Sequence, residues 1–151
     1  MDLMSATTSR ASLQEQHQFC FACGPSHPEG LRLQFDLGPA GEAIAVWHPS
    51  SLYQSYAGCV HGGVLATLLD SAMVHGLFAH GVVGVTAELT VRYVRPVRFR
   101  APVHLAGWVT TKRHRLYLCQ AEIRQANQVA AQAEAKFMAM SGPLPETNRS
   151  H

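Results

Sequence analysis

Charge is scarce in this chain: only 15% of its 151 residues are Asp, Glu, Lys or Arg, and they nearly cancel at a formal +2. So small an imbalance gives no reason to expect a nucleic-acid partner. Nor is the chain polar enough to stay unfolded, since 47% of it is hydrophobic. Cysteine is limited to Cys20, Cys23, Cys59 and Cys119. Met1 to Arg10 has no apolar signal core, and Asp2 with a single arginine fits a mitochondrial presequence poorly. A cytoplasmic location with free thiols is therefore expected. The longest apolar run is short for a bilayer and carries Asp70 and His75 near its middle, so no membrane span is expected. The length suits one domain with a real core.

That apolar run is the informative part. It reads Cys59-Val60-His61-Gly62-Gly63-Val64 and continues to Phe78. From Val64 to Ala79 the only polar side chains are Thr67, Asp70, Ser71 and His75. Helix formers that are apolar nearly all round predict a buried helix. Such a helix carries Asp70 into or beside a core, where a carboxylate is costly and is a candidate acid or base. At its start, Gly62 and Gly63 leave backbone N–H groups unobstructed, a place to hold a negative oxygen.

Around the helix the pattern has period two. Leu31 to Phe35 alternates, Gly38 to Gly41 is a turn, and Ala43 to His48 returns as a second strand. Ser50 to Gly58 is a polar loop feeding the helix, and His80-Gly81 closes it. Beyond it, Val85, Ala87, Leu89, Val91 and Tyr93 face one way, and Thr86, Glu88, Thr90 and Arg92 the other. Val103–Thr111, Leu116–Arg124 and Val129–Met140 follow as long strands joined at Lys112–Arg115 and Gln125–Gln128. The expected architecture is α+β, with about six antiparallel strands in the order β-β-α-β-β-β wrapped around one long helix. Its open edge favours pairing between subunits. Residues 19–140 form the domain, between a flexible segment 1–18 and a flexible tail 141–151.

Two further groups stand out. His17-x₂-Cys20-x₂-Cys23-x₃-His27 has the residue types of a zinc site. The set is read as accidental, and no metal is expected. Cys59 and Cys119 read as core residues. Arg92, Arg95, Arg98, Arg100 and the Lys112-Arg113-His114-Arg115 turn supply guanidinium groups that suit phosphates.

Two motifs then carry a resemblance. One is Gly58-x-Val60-His61-Gly62-Gly63-Val64-x-Ala66-x-Leu68-Leu69-Asp70. The other is Thr86-x-Glu88-Leu89-x-Val91-x-Tyr93-x-Arg95-Pro96-Val97. With Cys20-Phe21-Ala22-Cys23-Gly24-Pro25 before them, the chain from about Cys20 to Met140 resembles hotdog-fold acyl-CoA thioesterases of the phenylacetate-degradation type. The resemblance implies a hotdog fold, a homodimer or homotetramer, and no cofactor beyond the coenzyme A of the substrate. It implies Asp70 as general base or nucleophile, and Gly62 or Gly63 as the amide that polarises the carbonyl. It implies Thr86 as a hydroxyl that helps to hold water. His61 reads either as a positioning residue beside that carbonyl or as an N-terminal residue that fixes the loop through hydrogen bonds, and not as the base. Where many relatives have asparagine or glutamine before the histidine, this chain has Ser55 with Gln54 beside it. Where many have glutamate after the aspartate, it has Ser71. Gln54, Ser55, Ser71, Arg95 and Arg113 are the expected substrate contacts. Alternatives are a hotdog hydroxyacyl-thioester dehydratase or hydratase, and a non-catalytic acyl-CoA binder.

Overall fold

The long helix α2 (Gly62–Phe78) sits in the grip of a six-stranded antiparallel sheet. The computed structural model describes residues 9–141. Strands β1 (Asp36–Leu37) and β2 (Ala43–Trp47) precede α2; β3 (Gly84–Tyr93), β4 (Val103–Arg113), β5 (Leu116–Gln125) and β6 (Gln128–Ala139) follow it. Four strands after the helix are one more than the order β-β-α-β-β-β allows. The spatial order is β1-β2-β4-β5-β6-β3, so the second-half strands cross over and leave β3 at an edge. This is the wrapped-helix, hotdog architecture.

The core explains why the sheet curls. Leu65, Leu68, Leu69, Ala72, Met73 and Leu77 of α2 are all buried, each such large side chain contributing about 1.5–3 kcal/mol. Facing them, β6 presents Ala131, Ala133 and Ala135, whose small side chains let the sheet close over the helix. The closest approach is at Gly107 of β4. A Cβ there would run into the backbone of Ala72 and Met73.

Two expectations are corrected at the N-terminal side. Leu31, Leu33 and Phe35 are buried as their alternation predicts, but the segment is not a strand of the sheet. Its amides donate elsewhere: Leu31 N–H to Phe21 O at 2.9 Å and Leu33 N–H to Ala22 O at 3.0 Å. Pairing with β2 begins only at Asp36. Within the segment expected to be flexible, Arg10–Glu15 is a helix, α1, capped by Ser9 and anchored by the buried Leu13. Residues 1–8 and 142–151 lie outside the described residues, and with them nearly all of the expected tail. No helix among the described residues is long and apolar enough to cross a membrane.

Candidate active site

The site begins with an irregularity in β3. Thr86 stands opposite Phe137 of β6, but Glu88 stands opposite Lys136, so Ala87 is an extra residue, a β-bulge. A bulge reverses which face the following residues take. Simple alternation put Thr86 opposite to Leu89, Val91 and Tyr93. The bulge puts it on their side, the side of Phe137 and of α2. Glu88 goes to the outer face, where it meets Lys136 at 3.3 Å.

Thr86 thereby reaches Asp70. Its hydroxyl donates to Asp70 Oδ1 at 2.7 Å. Thr67, a hydroxyl that could have satisfied Asp70 locally, instead donates to Gly63 O at 3.0 Å. Burial raises the pKa of Asp70 above the ordinary carboxylate value, the Thr86 hydrogen bond works against that rise, and the nearby Cys20 thiolate adds to it. The carboxylate is half-buried and held on one oxygen. No described residue donates to Oδ2.

The other end of the site is the start of α2. His61 is the N-cap, and its Nδ1 accepts from Gly63 N–H at 2.9 Å. That amide is thus engaged by its own cap. Among the described residues none accepts from Gly62 N–H, so of the two glycine amides it is the free one. Tyr93 steadies this turn by donating to Gly62 O at 2.8 Å. Sequence reasoning missed that role. Tyr53 O accepts from His61 N–H at 2.7 Å, and Gln54 bridges Val60, which fastens the loop to the helix start.

The remaining expected contacts are not all brought together. Gln54 and Ser55 are exposed on the loop, within a tight turn closed by Ser55 N–H to Cys59 O at 3.0 Å. Ser71 turns into the interior and is 7% exposed. Arg95 lies at the Ala130 end of β6 and Arg113, through Leu116, at the Met138 end. Seven or eight residues of strand separate them, roughly 25 Å. One chain cannot aim both at one phosphate. Cys119 is buried, whereas Cys59 is half-buried beside Arg98, at 3.0 Å from its guanidinium, and is no core residue.

His17, Cys20 and Cys23 do converge, half-buried, while His27 stays outside and accepts from Glu29 N–H at 3.1 Å. The Cys23 thiol, then the His17 ring, hold the Cys20 thiol well below its usual range.

The thioesterase superfamily model matches residues 57–131, which include the helix start, Asp70 and β3 to early β6. A crystal structure of a thioesterase superfamily protein superposes with a TM-score of 0.72 and 30% identity over 78% of this chain and 61% of that one. The phenylacetic acid degradation protein PaaI of Thermus thermophilus, in a mutant form, gives 0.66 and 23% over 73% and 95%. A hypothetical thioesterase of Streptococcus pneumoniae TIGR4 with coenzyme A gives 0.66 and 17% over 71% and 87%. That protein has also been crystallised with an aspartate, and with a threonine sixteen positions later, replaced by alanine. An uncharacterized protein of Schizosaccharomyces pombe is 38% identical over 56 residues, 36% of this chain. The chain spans about a third (32%) of that curated relative's length.

Proposed function

We propose that this chain, which the thioesterase superfamily model matches over residues 57–131, is a thioesterase of that superfamily and hydrolyses an acyl-CoA thioester to the free acid and coenzyme A. The observation that carries this reading is the Thr86–Asp70 pair, a half-buried carboxylate with one oxygen held and the other free. Asp70 takes a proton from water as the water oxygen bonds the acyl carbon. The C–S bond then breaks, and the proton goes to the departing thiolate. A raised carboxylate pKa suits a base better than an ordinary one. Sixteen residues separate Asp70 from Thr86, the spacing of the aspartate and threonine altered in the pneumococcal protein. That protein's coenzyme A complex supports the choice of thioester. No metal or redox group enters this chemistry. The free thiols fit the reducing cytosol as the place of action.

The carbonyl oxygen would lie against Gly62 N–H, with the helix dipole behind it. Gly62 and Asp70 are eight residues apart on one helix, about 12 Å along its axis. A single carbonyl and a single water do not span that gap. We therefore read the site as shared: a second copy pairs along the free, exposed edge of β3 and brings the helix start of one subunit to the carboxylate of the other. The same pairing is what would let Arg95 and Arg113 serve one coenzyme A.

The rival hydratase reading needs a histidine free to exchange protons. His61 Nδ1 is already committed to Gly63 N–H. The test is a panel of aryl, short, medium and long acyl-CoAs, followed with a thiol-reactive dye beside an assay of enoyl-CoA hydration. Multiple-turnover thiol release without hydration is expected. Hydration without thiol release, or binding without turnover, overturns the reading.

A further inference from the structure

One cluster supplies no reacting group to that chemistry. The ligand atoms of His17, Cys20 and Cys23 all lie within 4.8 Å of one another. Cys23 Sγ stands 3.6 Å from His17 Nδ1. A thiolate at about 2.3 Å and an imidazole at about 2.05 Å from a tetrahedral zinc are themselves about 3.6 Å apart. The side chains already sit on an edge of a coordination tetrahedron.

The backbone is shaped to hold them there. After α1, Cys20 N–H donates to His17 O at 2.9 Å and Gly24 N–H to Cys20 O at 2.8 Å. Ser26 N–H closes on Gln18 O at 3.0 Å, and Gln18 Nε2 reaches Ser26 Oγ at 3.0 Å. The amides of Ala22 and Cys23 lie against the Cys20 sulfur. Gly24 is required for this knuckle, because a Cβ would run into the backbone of Cys20 and Gln18.

A second observation points at the same place from the core. His75, on α2, is 3% exposed, and neither ring nitrogen has a hydrogen-bond partner among the described residues. An unpaired buried imidazole carries the full cost of its lost water. Its ring centre is 6.4 Å from that of His17, and it lines a cleft together with Cys23. Two imidazoles on one tetrahedral ion have centres about 5 Å apart. Coordination by His75 therefore needs the two ring centres to close by more than an ångström, with its ring turning from its stack on Phe35 at 4.3 Å.

We propose that His17, Cys20, Cys23 and His75 form a structural site for a zinc-class divalent cation, which ties the knuckle after α1 to the central helix. The set is two thiolates and two imidazoles, a closed structural complement with no position left for substrate. Binding leaves both sulfurs as thiolates, the Cys23 proton passing to solvent, and both imidazoles neutral. This site is independent of the hydrolytic reading, and its test reads metal rather than turnover.

The test uses the full chain with its thiols reduced. Elemental analysis should find one zinc per chain, and cobalt titration should give the visible bands and thiolate charge-transfer absorption of a tetrahedral site. Cys20→Ser and Cys23→Ser should each weaken cobalt binding at least about 100-fold, and His27→Gln should leave it unchanged. His75→Gln should weaken it about 10-fold and alter the bands. Should that variant not fold, proton NMR of the wild-type cobalt protein should show shifted resonances from two imidazoles. Metal content no higher than in the Cys20→Ser/Cys23→Ser double variant overturns the proposal, as does a Cys20–Cys23 disulfide surviving thiol reductant. Resonances from one imidazole alone, or His75→Gln binding cobalt as the wild type does, overturn the four-ligand site.

Discussion

Thr86 Oγ1 lies 2.7 Å from Asp70 Oδ1 only because Ala87 bulges out of β3. The bond lowers the Asp70 pKa against the larger upward push of burial. Removing it should raise that pKa further. Thr86→Val is expected to lower kcat about 10-fold or more and to move the acidic limb of kcat/KM to higher pH. Thr86→Ser should keep both near wild type. A pH–rate profile of the three proteins checks this.

Deleting Ala87 is expected to act unlike Thr86→Val. Without the extra residue Thr86 stands next to Glu88 in a regular ladder, so alternation still turns it inward, opposite Phe137. Circular dichroism should stay that of the folded protein while kcat keeps within about 10-fold of wild type. A folded deletion variant that falls to the level of Thr86→Val would show that the inward face of Thr86 does not set the site.

The raised pKa of Asp70 also has a stability consequence. Below the unfolded value of 3.8 the carboxyl is protonated in both states. As pH rises through the window between that value and the higher folded one, the folded state must lose a proton it holds more tightly. Stability therefore falls across that window. Asp70→Asn should be at least as stable as the wild type at neutral pH. Its advantage should shrink as pH approaches 4, measured by urea midpoints.

Gly107→Ala should be severe, because its Cβ meets helix backbone that cannot turn away. Overpacking of this kind costs about 3 kcal/mol or more. Conversely, Ala126 and Asn127 hold φ of 51° and 61° in the β5–β6 turn. An Asn-Gly pair suits such a turn, so Ala126→Asn with Asn127→Gly should stabilise by about 0.5–1 kcal/mol. Urea titrations distinguish these opposite signs.

The long elements were legible because their patterns answer to burial alone. The apolar stretch that became α2 and the alternations of β4, β5 and β6 match their places to within a few residues. Leu31–Phe35 alternates for the same reason, but burial does not name a backbone partner, and its amides bond Phe21 and Ala22 instead. Asp70 and the helix start were visible as chemistry out of place in an apolar run. The face of Thr86 was not, since one extra residue in a ladder leaves no mark on composition. His75 read as one more polar residue on the helix. Its missing partners, and its approach to His17, exist only once the knuckle folds against α2.

The most direct test of the account mixes two inactive chains. Asp70→Asn removes the base. Gly62→Pro removes only the free amide, because proline is accepted at the first helical position and His61 already has the extended ψ of 133° that a following proline requires. Each variant alone should release coenzyme A thiol at least about 100-fold more slowly than the wild type. After subunit exchange, a mixed dimer has one site with both intact halves. It should regain about half of the wild-type rate per dimer. No recovery despite proven exchange, or an Asp70→Asn chain that keeps more than about a tenth of wild-type kcat by itself, would contradict a shared thioester-hydrolysing site built on Asp70.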